Sequence, residues 1–277
     1  MTTAQERPAP EHPAQESPRP TWSGDPYALA LRAGRGPLYL RRGDGWLLPL
    51  DVERWCAVAD AADLSALRRC EGAVLDIGCG PGRLVAALAA RGHRALGVDV
   101  SAEAVAHTVR VGGQALRRSV FEPLPGEGRW DTALLIDGNV GIGGDPPALL
   151  DRVAQLLAPD GLLLAETAPV DIDERVRVRI DDGLGTGAPD GSFPWARIGT
   201  RALLRHARRT GWHPVAQWSA DGRPFVALRR RTAPPTAAPS AAPVRTRSHS
   251  ADSANSAAVI SSQWPRKTST GSPVADS

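Results

Sequence analysis

Residues 73–84 read AVLDIGCGPGRL: a short apolar run leads into three glycines within five positions, with an acid inside the run and an arginine behind it. The continuous apolar stretch AVLDI suits a strand buried on both faces, and GRLVAALAARG (82–92) has helical periodicity closed by Gly92. The glycines therefore fall between the carboxyl end of a strand and the start of a helix, which is where open parallel sheets hold ligands. Glycine takes positive φ and lets a ligand approach with no Cβ in the way. Free N–H groups at a helix start donate to carboxylates or phosphates.

Working outward, the chain alternates strand-like and helix-like patterns. A helical segment, DVERWCAVADAADLSALRR (51–69), precedes the glycine stretch; RALGV (94–98) follows as a strand, with Ser101 placed to start the next helix. A weaker strand lies near 114–121. DTALLI (131–136) and GLLLAE (161–166) read as buried strands, and PPALLDRVAQLLA (146–158) as a helix with proline in its first turn. ARIGTRALLRHARRTG (196–211) reads as a helix, and GSFPWARIG (191–199) is expected to close a loop over the sheet edge. WHPVAQWS and FVALRR form a hairpin turning at Asp221-Gly222. This alternation predicts an α/β fold: a mostly parallel, Rossmann-like sheet with helices on both faces, a three-layer sandwich ending in an antiparallel hairpin.

Residues 1–21 and 232–277 are Pro-, Ala- and Ser-rich and are expected to be disordered tails, leaving 22–231 as the folded domain with 22–72 as its helical entry or lid segment. The formal net charge is +3 over 277 residues, and Lys267 is the only lysine. So modest a charge gives no mandate for nucleic acid. Cys56, Cys70 and Cys79 fit neither a disulfide framework nor a zinc site, and the six histidines include no pair at metal-ligand spacing. With no secretory signal and no apolar run long enough for a bilayer, a cytoplasmic protein free of membrane is expected.

Two ligands compete for the glycine stretch. A dinucleotide fingerprint needs its last glycine at position 83, which is Arg83; the register here is Gly78, Gly80, Gly82. Asp76 on the strand end would repel a pyrophosphate and welcome an ammonium group. Asp99, ending the next strand, suits ribose hydroxyls, with helix capping as its bland alternative. A nucleoside carrying an amino group and a carboxylate fits better than a dinucleotide, and S-adenosylmethionine has all three.

VLDIGCGPGRL, GVDVS (97–101) and LLAPDGLLLAE (156–166) together resemble the successive motifs of class I S-adenosylmethionine-dependent methyltransferases. The resemblance covers roughly 46–230 and implies a seven-stranded sheet with an antiparallel last strand. It also implies that Asp76, Gly78, Cys79, Gly80 and Gly82 surround the methionine part of the cofactor, and Asp99 with Val100 the ribose. Ser119 and Val120 stand where the family usually contacts adenine, with serine in place of the usual acid. In LLIDGNVGIGGD (134–145), Asp137 is expected at the cofactor amino group and Asn139 toward the acceptor, with shaping of a glycine-rich turn as the bland reading of Asn139. DGNVG differs from the Asn/Asp-Pro-Pro-aromatic tetrapeptide of amino-methylating members, which disfavours adenine or glutamine as acceptor.

These residues predict methyl transfer to a small-molecule acceptor; a non-catalytic binder of the same cofactor is the alternative. An open acceptor cavity near 137–144 and 22–60 favours the enzyme. No catalytic base is legible, and His107 reads as a surface residue. Arg201, Arg205, Arg208 and Arg209 read as a solvated helix face, and Trp46, Trp55 and Trp195 as residues flanking the pocket.

Overall fold

The computed structural model describes residues 26–184 and 191–230. The expected tails, 1–21 and 232–277, lie outside the described residues.

A helix α1 (Pro26–Ala33) is followed by strands β1 (Tyr39–Arg42) and β2 (Leu47–Pro49), then α2 (Val52–Cys56) and α3 (Ala61–Leu67). The glycine stretch joins β3 (Val74–Ile77) to α4 (Arg83–Ala89), followed by β4 (Ala95–Asp99), α5 (Ala102–Arg110) and β5 (Ala115–Arg117). Next come β6 (Trp130–Leu135), a 3-10 turn at Asn139–Gly141, α6 (Pro146–Leu156) and β7 (Leu157–Glu166). The chain then runs through β8 (Asp173–Asp181), β9 (Phe193–Ile198), α7 (Thr200–Arg209), β10 (Trp212–Ala220) and β11 (Arg223–Arg230).

Seven strands form the main sheet in the order β10-β11-β7-β6-β3-β4-β5. The strands from β7 to β5 are parallel, and β11 enters antiparallel between β7 and β10. Asp221 and Gly222 both take positive φ at the hairpin, as a two-residue primed turn requires. Central β3 is buried along its whole length, and its side chains alternate between two cores. Leu75 and Ile77 join Leu149, Leu150, Val153 and Leu203 of α6 and α7, while Val74 joins Ala62, Leu84 and Leu88 of α3 and α4. Helices thus cover both faces, as the alternating pattern requires. No helix among the described residues is long and apolar enough to cross a membrane.

Two expectations need correction. The entry segment is not simply helical. Positions 51–69 hold two helices, because Asp51 caps α2 by accepting from Arg54 N–H, and Asp60 starts α3 with a capping box to Asp63. The helix expected from Ala196 begins at Thr200, since Phe193–Ile198 pairs with β8 as a strand. Together β2-β1-β8-β9 make a second, four-stranded antiparallel sheet that sequence reasoning missed. Its signal was present: DERVRVRID sets Val176, Val178 and Ile180 against Arg175, Arg177 and Arg179 at period two.

Candidate active site

The carboxyl ends of β3, β4 and β6 face a cavity of about 360 Å³, covered by α1, α2 and the small sheet. Gly78, Cys79, Gly80, Asp99, Val100, Ser119, Val120, Asp137 and Asn139 line it; Asp76 and Gly82 do not.

The three glycines differ in what they do. Gly80 has φ +54, and a Cβ built there would meet only the Tyr27 Oη, at 3.5 Å. Its missing side chain leaves a cradle on the cavity floor. Gly82 starts α4 at φ +90, and its Cβ would lie 2.5 Å from Thr108 Oγ1. That glycine serves the packing of α4 against α5.

Asp99 Oδ2 accepts from Gly80 N–H at 3.0 Å and Oδ1 from Ser101 N–H at 2.8 Å. The helix cap is Ser101, whose Oγ accepts from Ala104 N–H, so the bland capping role does not fall to Asp99. Its carboxylate is fixed in orientation on the cavity wall and keeps further lone pairs for a ligand. Burial pushes this carboxyl above its usual range, opposed by the Ser101 and Gly80 N–H groups.

Asp76 shares the β3 face of Val74, so it points down between the sheet and α4 rather than into the cavity. It is 1% exposed, and its Oδ2 has no hydrogen-bond partner among the described residues. Burial pushes its carboxyl up to about 7, against the pull of Arg83. Asp76, expected at a ligand ammonium, thus lies beneath the loop and off the cavity wall. Cys79 is wall rather than nucleophile: burial, with Asp99 and Asp76 nearby, pushes its thiol far up. Ser119 and Val120 sit on a turn in which Ser119 Oγ accepts from Phe121 N–H at 3.3 Å and Ser119 N–H donates to Glu122 at 2.8 Å.

Asp137 anchors a cluster that the sequence did not reveal. It holds φ +59, a conformation rare outside glycine. Its Oδ2 accepts from Arg83 at 2.7 Å, and its Oδ1 from Arg54 at 2.7 Å and Arg223 at 3.4 Å. Arg83 also forks onto Asp63 at 2.7 and 2.9 Å, and Arg223 onto Glu166 at 2.9 and 2.7 Å. Glu166 Oε2 in turn accepts from Asp137 N–H at 2.8 Å. Burial raises the Asp63 carboxyl, but Arg83 and Arg223 more than reverse this and hold it below its usual range. Bidentate pairs of this kind fix geometry as well as charge.

Asn139 lines the cavity, but its Nδ2 donates to the carbonyls of Ile77 and Gly78, both at 2.9 Å. Both amide protons are therefore committed to the loop, and only its carbonyl oxygen is left for an acceptor. Trp55 and Trp195 line the cavity; Trp46 does not, and stacks instead beside the guanidinium groups of Arg42 and Arg197. On α7, Arg201 and Arg205 pair with Asp171 and Asp173, in keeping with a solvated face. His107 Nδ1 lies 2.8 Å from the Pro81 carbonyl and is not part of the cavity wall. Among the described residues no group of three potential ligands is placed to hold a metal.

The donor set fits S-adenosylmethionine: a bare cradle at Gly80, an oriented carboxylate at Asp99 and a charged cluster behind Asp137. The sequence profile of a methyltransferase domain matches residues 52–216. The chain belongs to this methyltransferase family. The methyltransferase resembles an S-adenosylmethionine-dependent methyltransferase from Bacteroides fragilis in complex with S-adenosylhomocysteine, with TM-score 0.64 and 20% identity over 78% of this chain and 98% of that one. A 1,6-didemethyltoxoflavin-N1-methyltransferase from Burkholderia thailandensis matches with TM-score 0.47 and 22% identity over 62% of this chain and 79% of that one. A sugar N-methyltransferase from Streptoalloteichus matches with TM-score 0.44 and 16% identity, over 64% of this chain and 88% of that one. No curated protein matches the sequence. The family is thus that of a methyltransferase domain, on the fold of the Bacteroides fragilis enzyme.

Proposed function

We propose that this methyltransferase moves the methyl group of S-adenosylmethionine to a small-molecule acceptor by in-line displacement. The observation that carries this reading is one continuous cavity running from Gly78, Gly80 and Asp99 to an apolar wall at Leu40, Ile180, Phe193 and Trp195. Its volume is at the low end for ligand pockets, about 300–1,000 Å³, so an acceptor sharing it with the cofactor is small.

When bound, the cofactor supplies a methyl group already activated by its sulfonium. The chain binds, orients and excludes water. Asp99 with Val100 holds the ribose, Ser119 and Val120 flank the adenine, and the backbone from Gly78 to Gly80 faces the methionine part. Asp137, held by Arg54 and Arg83, presents a fixed carboxylate edge at the amino group. Asn139 keeps the β3 end in shape. Alignment of two bound reactants is worth effective molarities of about 10⁵–10⁸ M in favourable cases, so positioning supplies much of the catalysis. Binding without transfer is less well supported, because the acceptor half of the cavity is open rather than filled. The free thiols Cys56, Cys70 and Cys79 suit a reducing cytoplasm, the proposed site of action.

The test is incubation with isotopically labelled S-adenosylmethionine and a host metabolite extract. Labelled small molecules are expected, and their absence alongside tight S-adenosylhomocysteine binding would favour the non-catalytic reading.

A further inference from the structure

The small sheet makes the acceptor half of the cavity chemically lopsided. Strand β8 alternates, so Arg175, Arg177 and Arg179 stand on the face opposite Val178 and Ile180. The charges of the small sheet pair with one another: Arg41 and Arg179 reach the buried Asp181, Arg42 and Arg197 reach Glu174, and Arg175 reaches Asp145. Inside, Leu40 of β1, Ile180 of β8, and Phe193, Pro194 and Trp195 of β9 meet the cavity, with Trp55 of α2 beside them. The rings of Phe193 and Trp195 lie edge to face, with centroids 6.2 Å apart at 87°. Main-chain pairing of Trp195 with Ile142 fixes this wall over the loop that follows β6.

The charged residues on the cavity wall belong to the other half and already have partners. Arg83 is held by Asp63 and Asp137, Asp99 by two N–H groups, and Arg118 donates to the Pro123 carbonyl. A charged acceptor would lose its hydration against the apolar wall with little in exchange, whereas a flat uncharged ring gains burial and aromatic contact. Resting on the methyltransferase reading above, we infer that the acceptor is a planar, uncharged aromatic molecule seated against Trp195 and Phe193 of the small sheet.

The transfer balances simply. The acceptor heteroatom's lone pair forms the new bond to the methyl carbon, the carbon–sulfur bond breaks with its electrons going to sulfur, and any proton on the heteroatom leaves to solvent. The positive charge of the sulfonium departs with that proton, which leaves a neutral methylated heteroatom and a neutral thioether.

Calorimetric titration of the full chain saturated with S-adenosylhomocysteine tests this with three probes: 2-naphthol, 2-naphthoate and glucosamine. The expected order is 2-naphthol tightest, by about tenfold over 2-naphthoate, with glucosamine weakest. Trp195→Ala should weaken 2-naphthol by about tenfold and Trp195→Phe by much less, with S-adenosylhomocysteine affinity little changed in both. Phe193→Leu serves as a second, milder probe of the same wall if Trp195→Ala does not fold. Equal or tighter binding of 2-naphthoate or glucosamine overturns the inference. So does failure of all three probes in a protein that binds S-adenosylhomocysteine, which leaves the methyltransferase reading standing. Failure to bind S-adenosylhomocysteine itself would instead strike that underlying reading.

Discussion

Arg54 on α2 donates to Asp137 at the end of β6 at 2.7 Å, so the segment covering the cavity is tied to the strand end that forms its floor. Hydrogen bonds to a charged group are worth about 1.5–3 kcal/mol, and Arg54 is partly exposed, which places this tie near the lower figure. Arg83→Met should be harsher, about 3 kcal/mol, because it removes both guanidinium hydrogen bonds to the buried carboxylate of Asp63 and leaves Arg223 as its remaining cation. Denaturant unfolding of Arg54→Met and Arg83→Met should rank them in that order; equal losses would mean the cluster is not organised around Arg83.

Asp99→Ala should weaken S-adenosylhomocysteine binding by about 1.5–3 kcal/mol, as read by calorimetry. Unchanged affinity in a folded variant would remove Asp99 from the ribose site.

Gly80 and Gly82 should fail in different ways. Gly80→Val fills the cradle under Tyr27 and is expected to abolish cofactor binding in a protein that still folds. Gly82→Ala sets a Cβ 2.5 Å from Thr108 and is expected to lower the melting temperature first. Thermal melts and binding curves on both variants separate the two effects, and a Gly80→Val variant that binds normally would take the cradle out of the ligand site.

Asp76 has its carboxyl raised to about 7 in the folded chain by burial, against about 3.9 in an unfolded one. The native state therefore holds a proton that the unfolded state has released between those values. The stability from the neutral form is complete below about pH 4 and is lost as pH rises to 7. Relative to the native chain, Asp76→Asn should gain stability steadily across that window. Unfolding curves at several pH values check this, and a constant difference would show that Asp76 ionises normally.

We propose 22–231 as the folding unit. Deleting 1–20 and 235–277 should leave both the melting temperature and S-adenosylhomocysteine affinity nearly unchanged, and a large drop in either would place part of a tail in the fold.

The main sheet was legible because its signals are local. AVLDI is continuously apolar, Ser101 and Gly92 punctuate helices, and Asp221-Gly222 names its own turn. The glycine register and Asp99 were legible for the same reason. The ion-pair cluster was not: Arg54, Arg83 and Arg223 meet Asp137 from distant parts of the chain, and no periodicity links them. The small sheet fell between these cases. Its strand β8 alternates openly, but its partner β9 was absorbed into the helix that follows it. Asn139 illustrates a further limit: residue type marked it as polar and near the acceptor, while only coordinates show its amide turned to Ile77 and Gly78.

Arg223 lies on the last described strand, yet it reaches Asp60, 163 positions earlier, as well as Asp63, Asp137 and Glu166. The charged backing of the cofactor cavity is thus completed by nearly the final stretch of the domain to leave the ribosome. A nascent chain halted before β11 has the glycine loop and Asp99 but leaves Glu166 and Asp137 without this guanidinium. Asp137 and Glu166 therefore gain their last cation only when β11 docks beside β7.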